Sequence, residues 1–236
     1  MHRFYAPDIA TENILPEEES RHALRVLRLQ VGDEIEVVDG CGNLYNCVVA
    51  DTNSKRCAVD IKSIVPQPAH WGCKIVIGIA PTKNIDRIEW MLEKCTEIGI
   101  DQVVPLKCRF SERKEVKPER LEKILVSAMK QSLKASIPQL SEMQSIEKFI
   151  TTPFEGQKFI AYCGDDVERK DFAREYIPGS DVEILIGPEG DFSPEEVRLA
   201  LDNGFIPVSL GKSRLRTETA AVFACMAVHA INQRIL

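Results

Sequence analysis

Two glycine-containing loops near the C-terminus carry the residue types best suited to holding a ligand. The first contains Gly-Pro-Glu-Gly at residues 187–190, between an apolar run of strand length and a helix start. The second begins at Leu210, continues as Gly-Lys-Ser-Arg-Leu-Arg-Thr-Glu-Thr and leads into an apolar helical pattern. Backbone N–H groups at such a strand-to-helix turn bind anions and polar ligands. Open α/β sheets bind ligands at the carboxyl ends of their strands, so both loops are candidate ligand-binding loops.

Neither loop matches a nucleotide-binding signature. The first lacks the Lys and the Ser or Thr that follow the second glycine of a P-loop, and it is not Gly-x-Gly-x-x-Gly. The second also has a purely structural interpretation, in which Arg216 and Glu218 form an ion pair at a helix start and Thr217 or Thr219 caps that helix. From the residues alone, both the structural and the ligand-binding interpretation of the second loop stay open.

The elements that must position these loops alternate between strands and helices after residue 70. Continuous apolar runs predict buried strands, and apolar residues at helical spacing predict helices. Strands are predicted at 73–80, 103–106, 159–163, 182–186 and 207–210, and helices at 85–98, 121–133, 165–176, from the capping residue Ser193 onward, and at 217–236. This alternation predicts a largely parallel sheet in an α/β domain.

The first seventy residues have a different pattern, which is typical of a small β-rich domain. Before the predicted strands, Arg21, Arg25 and Arg28 fall three and four residues apart on a predicted helix. They form either a solvated helix face or a contact to RNA phosphates. Strands are predicted at 34–38, 44–50 and 56–65, as in a compact barrel. The Pro-Gln-Pro linker that follows predicts two domains, at 1–70 and 71–236.

The composition is that of an ordinary globular protein, with 44% hydrophobic and 28% charged residues. There is no signal-peptide pattern and no long apolar run, and the eight scattered cysteines lack metal-ligand spacing. We therefore expect a cytoplasmic protein with no membrane segment, disulfide framework or metal. The net charge is −6, but residues 74–140 carry 13 basic and 9 acidic residues, and residues 211–236 carry 4 and 1. A local basic face is therefore available to bind RNA.

The amino-acid sequences of the two loops resemble a motif pair of a known family. Ile-Gly-Pro-Glu-Gly-Asp-Phe-Ser-Pro-Glu-Glu at 186–196, followed after a helix and a strand by Leu-Gly-Lys-Ser-Arg-Leu-Arg-Thr-Glu-Thr-Ala-Ala at 210–221, is similar to the RsmE family of SPOUT RNA methyltransferases. The resemblance covers nearly the whole chain, because further family motifs follow in order at 21–33, at Lys83 and Arg87, at 93–99 and at 128–138.

Two positions depart from that family's usual pattern. Asp191 stands where the family usually has another glycine after Gly-Pro-Glu-Gly. The last motif usually reads Arg-Ile-Leu-Arg, whereas this chain has Ser-Arg-Leu-Arg at 213–216. If that loop needs an arginine near its start, Arg214 or Lys212 must supply the charge from a shifted position.

The resemblance implies a fold and an activity. The fold is an N-terminal PUA-like β-barrel that binds RNA, followed by a SPOUT α/β domain whose parallel sheet carries a trefoil knot. The activity is the S-adenosylmethionine-dependent methylation of N3 of a specific uridine in the 16S rRNA of the small ribosomal subunit, a step of rRNA processing and ribosome biogenesis. The resemblance further implies a homodimer, with the apolar helix at 220–231 as a candidate for the subunit contact.

Roles for individual residues also follow from the resemblance. Arg216 is the candidate catalytic cation beside the uracil anion, and Glu218 is either the base or the residue that positions Arg216. Contacts to the cofactor are implied for Gly187, Glu189, Gly190, Leu210, Gly211, Leu215 and Thr219. Contacts to RNA are expected at Arg21, Arg25, Arg28, Lys83 and Arg87.

Two other functions are compatible with these observations. One is a SPOUT methyltransferase with a different RNA target, which the order of the domains and the wording of both motifs disfavour. The other is a non-catalytic RNA-binding or ribosome-assembly protein that keeps the fold. The intact loops at 187–190 and 210–221 favour a working cofactor pocket over that second alternative.

Overall fold

The hairpin pattern of the first seventy residues produces a four-stranded sheet. Its strands, in their order across the sheet, are β1 (Arg3–Tyr5), β2 (Glu34–Val38), β3 (Asn43–Asp51) and β4 (Ala58–Pro66). β2, β3 and β4 pair antiparallel, and β1 joins β2 in parallel. Alternate residues such as Ile35, Val37 and Tyr45 are buried in one apolar core. The three strands predicted in this region are confirmed.

The helix predicted over residues 21–28 is partly wrong. The chain forms α1 (Ile9–Glu12), α2 (Glu17–Arg21) and then a single π-helical turn at His22–Val26. Leu27 N donates to His22 O, and Arg28 has a left-handed φ of 58°, so regular helix geometry ends before Arg28. Arg21, Arg25 and Arg28 are all exposed, but they do not share the face of one α-helix.

The computed structural model describes residues 2–53 and 55–233, and the chain divides into two compact units. The first unit comprises Met1–His70 together with Val126–Ile137. The second comprises Trp71–Leu125 and Pro138–Leu236. A segment from the middle of the chain therefore packs with the N-terminal residues, where Met129 and Ala135 are buried with Val38.

The apolar runs of the second unit form a sheet whose neighbouring strands pair in parallel among the described residues, as the sequence predicts for an α/β fold. Its strands are β5 (Ile75–Ile79), β6 (Gln102–Lys107), β7 (Gln139–Leu140), β8 (Gln144–Ser145), β9 (Gln157–Ala161), β10 (Lys170–Asp171), β11 (Val182–Ile186) and β12 (Ile206–Ser209). The order is β10-β12-β9-β11-β5-β6-β7, with β8 also beside β6. β5 and β11 are buried along their whole length. The trefoil knot implied by the resemblance stays a prediction.

Helices connect the strands of this sheet. They are α3 (Ile85–Ile98), α4 (Pro118–Gln131), α5 (Ile146–Thr151), α6 (Phe172–Glu175), α7 (Pro194–Asp202) and α8 (Thr217–Asn232). The capping box predicted at Ser193 is formed with Glu196. The predicted last helix is confirmed through Asn232, whereas its predicted end at 234–236 lies outside the described residues. No helix among the described residues is long and apolar enough to span a membrane.

The helix predicted over residues 165–176 is mostly wrong. Only the one-turn helix α6 forms there, preceded by the two-residue strand β10. Arg169 instead turns back, and its guanidinium donates to the carbonyl oxygens of Tyr162 and Cys163 at 3.3 and 3.2 Å. The Tyr162 hydroxyl also donates to Asp166 at 2.7 Å. These side-chain contacts stabilise a loop in place of a helix.

Candidate functional site

A cavity of 840 Å³ opens at the carboxyl edge of the parallel sheet. Residues of three loops line it, and each loop follows a strand. We call them loop A (residues 187–193, after β11), loop B (residues 210–216, after β12) and loop C (residues 162–169, after β9). The cavity is of the size, about 300–1,000 Å³, that holds small molecules and cofactors. The two loops singled out in the sequence therefore lie in one site.

Loop A is held by the side chain of Asp191. Asp191 has a φ of 63°, in the left-handed region that only glycine, asparagine and aspartate adopt readily. Its carboxylate accepts hydrogen bonds from the backbone N–H of Cys163 and of Phe192, both at 2.9 Å. Burial raises the pKa of the Asp191 carboxyl, and these two hydrogen bonds oppose that rise. The aspartate thus meets the backbone requirement of the glycine that it replaces and joins loop A to loop C.

Further contacts fix the rest of loop A. The Glu189 carboxylate accepts from Lys83 N at 3.1 Å, and the Thr217 hydroxyl donates to Gly187 O at 3.1 Å. A Cβ atom at Gly187 would lie 3.1 Å from the Phe192 ring, so a larger residue needs that buried side chain to shift by a few tenths of an ångström. Gly187 is therefore closely packed against Phe192.

Loop B presents cations to the cavity. Lys212, Arg214 and Arg216 line it and are exposed, and their side chains make no hydrogen bond or ion pair within the described parts of the chain. Gly211 has a φ of 117°, and Gly211 N donates to the Ser209 hydroxyl at 3.2 Å. The Ser209 hydroxyl therefore fixes the start of loop B, while the charged groups of the loop remain available to a ligand.

Glu218 lies directly after loop B, in the first turn of α8, and is 7% exposed. Its Oε1 atom is 3.9 Å from Arg87 Nε, and its Oε2 atom is buried with no hydrogen-bond partner among the described residues. The ion pair between Arg216 and Glu218 that the structural interpretation of loop B needs is not formed, because Glu218 pairs with Arg87. Most buried acceptors in folded proteins have a partner, so an unpaired one that lines a cavity is a candidate functional group.

The structure brings together most of the residues predicted for the site. The cavity is lined by Gly187, Glu189, Leu210, Gly211, Leu215, Arg216 and Glu218, and also by Arg87, which was expected to contact RNA. Gly190 and Thr219 are not among its lining residues. Lys83 instead lines a separate 300 Å³ cavity and forms an ion pair with Glu112 at 2.9 Å. Arg21, Arg25 and Arg28 are surface residues of the first unit.

Sequence reasoning missed loop C. Tyr162, Cys163, Gly164 and Arg169 line the cavity, and the hydrogen bond to Asp166 raises the pKa of Tyr162 to about 12. Tyr162 is thus a neutral hydroxyl at ordinary pH. The available signal was the position of Gly164, just after a strand that ends at the same sheet edge as loops A and B.

These features define a class of protein: an α/β domain with a cofactor-sized, mixed-charge cavity at the carboxyl edge of its sheet, joined to a small β domain. Residues 69–229 match the family described as "RNA methyltransferase domain", and residues 15–62 match "RNA methyltransferase PUA domain". The chain belongs to the RNA methyltransferase family, and its N-terminal β domain is the PUA domain of that family.

Individual relatives are similar along their whole length. A probable rRNA methyltransferase from Porphyromonas gingivalis is 47% identical, with a TM-score of 0.95 and coverage of 100% of both chains. The ribosomal RNA small subunit methyltransferase E from Neisseria gonorrhoeae, solved bound to S-adenosylmethionine, is 25% identical, with a TM-score of 0.84 and 96% of both chains covered. The protein of that name from Rickettsia conorii is 26% identical over 97% of this chain and 95% of its own.

Proposed function

We propose that this protein is an S-adenosylmethionine-dependent methyltransferase that modifies N3 of one uridine in the 16S rRNA of the small ribosomal subunit. The small-subunit substrate and the cofactor are those in the names of full-length relatives. The observation that carries the proposal is the buried Glu218 carboxylate, whose Oε2 lacks a hydrogen-bond partner among the described residues and which lines the large cavity. A proton acceptor at that place is what methylation of a protonated ring nitrogen requires.

The cavity residues fit the chemistry of S-adenosylmethionine. Pro188, Leu210 and Leu215 offer apolar surface for an adenine ring, and the glycines let backbone groups approach it closely. The carboxylates of Glu189 and Asp191 suit hydroxyl and ammonium groups, and the guanidinium groups of loop B suit a carboxylate. The predicted cofactor contacts at Gly187, Glu189, Gly190, Leu210, Gly211, Leu215 and Thr219 remain proposals, with Gly190 and Thr219 acting from just outside the cavity.

The chain's own residues supply the proton chemistry. When bound, S-adenosylmethionine supplies an electrophilic methyl group. Uracil N3 carries a proton and must lose it before N3 can attack that group, and we assign the role of proton acceptor to Glu218. Oε2 makes no hydrogen bond with another described residue, so no such bond has to break when this oxygen receives the proton.

A cation must stabilise the uracil anion at O2 or O4. We assign this role to Arg216, since its guanidinium lines the cavity and is exposed. Arg87 Nε is held 3.9 Å from Glu218 Oε1, so the guanidinium lies beside the carboxylate that is assigned to accept the proton. Arg87 therefore belongs to the reaction site in this proposal, besides any contact it makes to RNA.

RNA binding is assigned to exposed basic residues in both domains. Arg25 and Arg28 belong to the domain at 1–70 and lack side-chain partners among the described residues, whereas Arg21 pairs with Glu17 at 2.9 Å. Lys83 belongs to the methyltransferase domain at 71–236. Because such contacts release counterions from phosphates, the affinity for subunits should fall steeply as salt is raised. Since small ribosomal subunits are cytoplasmic, we place the protein in the cytoplasm.

We also propose a homodimer built on α8. Phe223 and Met226 of α8 are 45% and 50% exposed, and Trp90 of the adjoining helix α3 is 44% exposed. Large apolar side chains exposed on two packed helices are typical of a protein interface. The double variant Phe223→Glu with Met226→Glu should be monomeric by light scattering. A wild-type monomer, or a variant that stays dimeric, would contradict this assignment.

The decisive experiment supplies purified protein with S-adenosylmethionine and small subunits from cells that lack this protein. Mass spectrometry of the digested 16S rRNA should find a single new N3-methyluridine. A methyl group on another atom or another RNA would favour a different methyltransferase target. Subunit binding without any methyl transfer would favour the non-catalytic assembly protein.

A further inference from the structure

Phe110 is a half-exposed aromatic residue beside the cavity. It lies in the loop between β6 and α4, at the same carboxyl edge of the sheet as loops A, B and C, and it is 50% exposed. We propose that Phe110 stacks on an unpaired nucleobase of the RNA substrate, next to the site of methyl transfer. This inference rests on the proposed function, since it names a contact to the same substrate.

The ring is adjacent to loop A. A Cβ atom at Gly190 would lie 3.2 Å from Phe110 Cβ, so the two residues are in direct contact. The neighbours of Gly190 on either side, Glu189 and Asp191, line the cavity. Gly190 thus faces Phe110. A nucleobase stacked on the ring would lie beside loop A, on the other side of which is the cavity with the proposed reaction site.

The loop around Phe110 is fixed although the ring is exposed. Ser111 N donates to Cys108 O at 3.1 Å, and Cys108 N donates to the Ser111 hydroxyl at 3.0 Å. Arg109 N donates to the buried Glu196 carboxylate at 2.7 Å, which ties the turn to the start of α7. A half-exposed ring on a loop whose backbone is fixed is preorganised for stacking, because little backbone freedom is lost on binding.

The charges around Phe110 suit an RNA strand. Residues 107–117 contain five basic and two acidic residues, and Lys107, Arg109, Lys114 and Lys117 are exposed. Arg113 instead donates to Thr82 O at 3.0 Å and so tethers the loop to the residues before α3. An aromatic ring among exposed cations is the arrangement with which proteins bind single-stranded nucleic acid, since every base can stack and every phosphate is negative.

The test compares Phe110→Ala, Phe110→Leu and Phe110→Trp in the full chain. Binding of a fluorescein-labelled oligouridine is measured at fixed salt, together with KM for small subunits and Kd for S-adenosylmethionine. We expect Ala and Leu to weaken oligouridine binding and raise KM about tenfold, the value of one lost base stack. Trp should stay within about twofold of wild type, and all variants should keep the Kd for S-adenosylmethionine. Ile177→Ala, which removes a 63% exposed apolar side chain before the amino end of β11, is the matched control.

Each outcome separates this inference from the proposed function. If wild type methylates subunits and Phe110→Ala matches it in KM and oligouridine affinity, stacking is wrong and the enzyme assignment stands. If Leu behaves like Phe, or if the Kd for S-adenosylmethionine rises with Ala, the ring packs against loop A and does not stack on a base. If wild type does not methylate subunits, the oligouridine series still decides whether Phe110 binds a base.

Discussion

Loops A and B follow β11 and β12, two strands of the same sheet that are separated by β9, and both loops line the same cavity. Their polar side chains differ in whether they have hydrogen-bond partners within the protein. In loop A, Asp191 accepts two backbone hydrogen bonds and Glu189 accepts one. In loop B, the side chains of Lys212, Arg214 and Arg216 form no hydrogen bond and no salt bridge within the described residues. Loop A is therefore complete without a ligand, whereas loop B needs a ligand to satisfy its charged groups.

This difference indicates separate roles for the two loops. A loop fixed by hydrogen bonds within the protein keeps its shape and can define a pocket wall. Exposed cations cost little in the free protein, because water solvates them, and they gain most when a bound anion excludes water. Glu218 is an exception, because it adjoins loop B but is buried. Its Oε2 atom has no hydrogen-bond partner among the described residues, which costs about 1–3 kcal/mol of folding free energy. Chemistry is therefore expected on the side of loop B.

The largest effect is expected from Glu218→Gln. Replacing the proton acceptor with an amide should lower kcat by about 10²- to 10⁴-fold, because general-base catalysis is lost. The free energy of unfolding should not fall, since the substitution removes a buried charge whose Oε2 has no partner among the described residues. Single-turnover methyl transfer and urea unfolding measure both quantities, with the exposed Glu122→Gln as control. A wild-type rate would remove Glu218 from the mechanism.

The second largest effect is expected from Arg216→Ala. It should lower kcat by about 10²- to 10³-fold, which is the range for removing one group that stabilises a developing anion. The Kd for S-adenosylmethionine should be kept, and stability should change by less than about 0.5 kcal/mol, because the side chain is exposed and unpaired among the described residues. Arg198→Ala, exposed on α7 and outside the cavity lining, is the control. If Arg216→Ala loses cofactor affinity and keeps kcat, the role of Arg216 is in binding.

The difference between the loops was only partly predictable from the sequence. The strand runs and capping signals are local, so they placed loops A and B correctly at the carboxyl edge of the sheet. The hydrogen bond between Asp191 and Cys163 joins residues 28 positions apart, and no local pattern encodes it. Arg87 was assigned to RNA because it is a basic residue on a helix, and its contact with Glu218 depends on how α3 packs against α8.

Long-range contacts also explain the errors in the fold. The sequence predicts a helix over residues 165–176, but Arg169 hydrogen-bonds to carbonyl groups at the end of the preceding strand. The domain boundary predicted at residue 70 stays a prediction, and the segment Val126–Ile137 packs with the N-terminal unit, which the sequence did not indicate. Burial of Met129 with Val38 stabilises that arrangement, and linear sequence does not reveal such a pairing.

Substitution of Asp191 tests whether loop A owes its shape to that side chain. Asp191→Ala should lower the free energy of unfolding by about 2–3 kcal/mol, from two lost hydrogen bonds and a left-handed backbone that alanine disfavours. Asp191→Gly removes the hydrogen bonds without the steric cost and should lose less. Urea unfolding measures the series, with the exposed Asp202→Ala as control. Equal losses for Ala and Gly would mean that backbone strain contributes nothing.

The smallest effect is expected in amide hydrogen exchange, which compares the two loops most directly. Because no backbone amide of residues 212–216 donates a hydrogen bond within the described parts of the chain, S-adenosylmethionine should slow amide hydrogen exchange at residues 212–216 more than at residues 190–193. Loop A should already exchange slowly, since the amides of Asp191 and Phe192 donate hydrogen bonds in the free protein. Mass spectrometry with and without the cofactor gives both rates. Equal slowing in the two loops would show that loop A is also ordered by the cofactor, and the division of roles between them would fail.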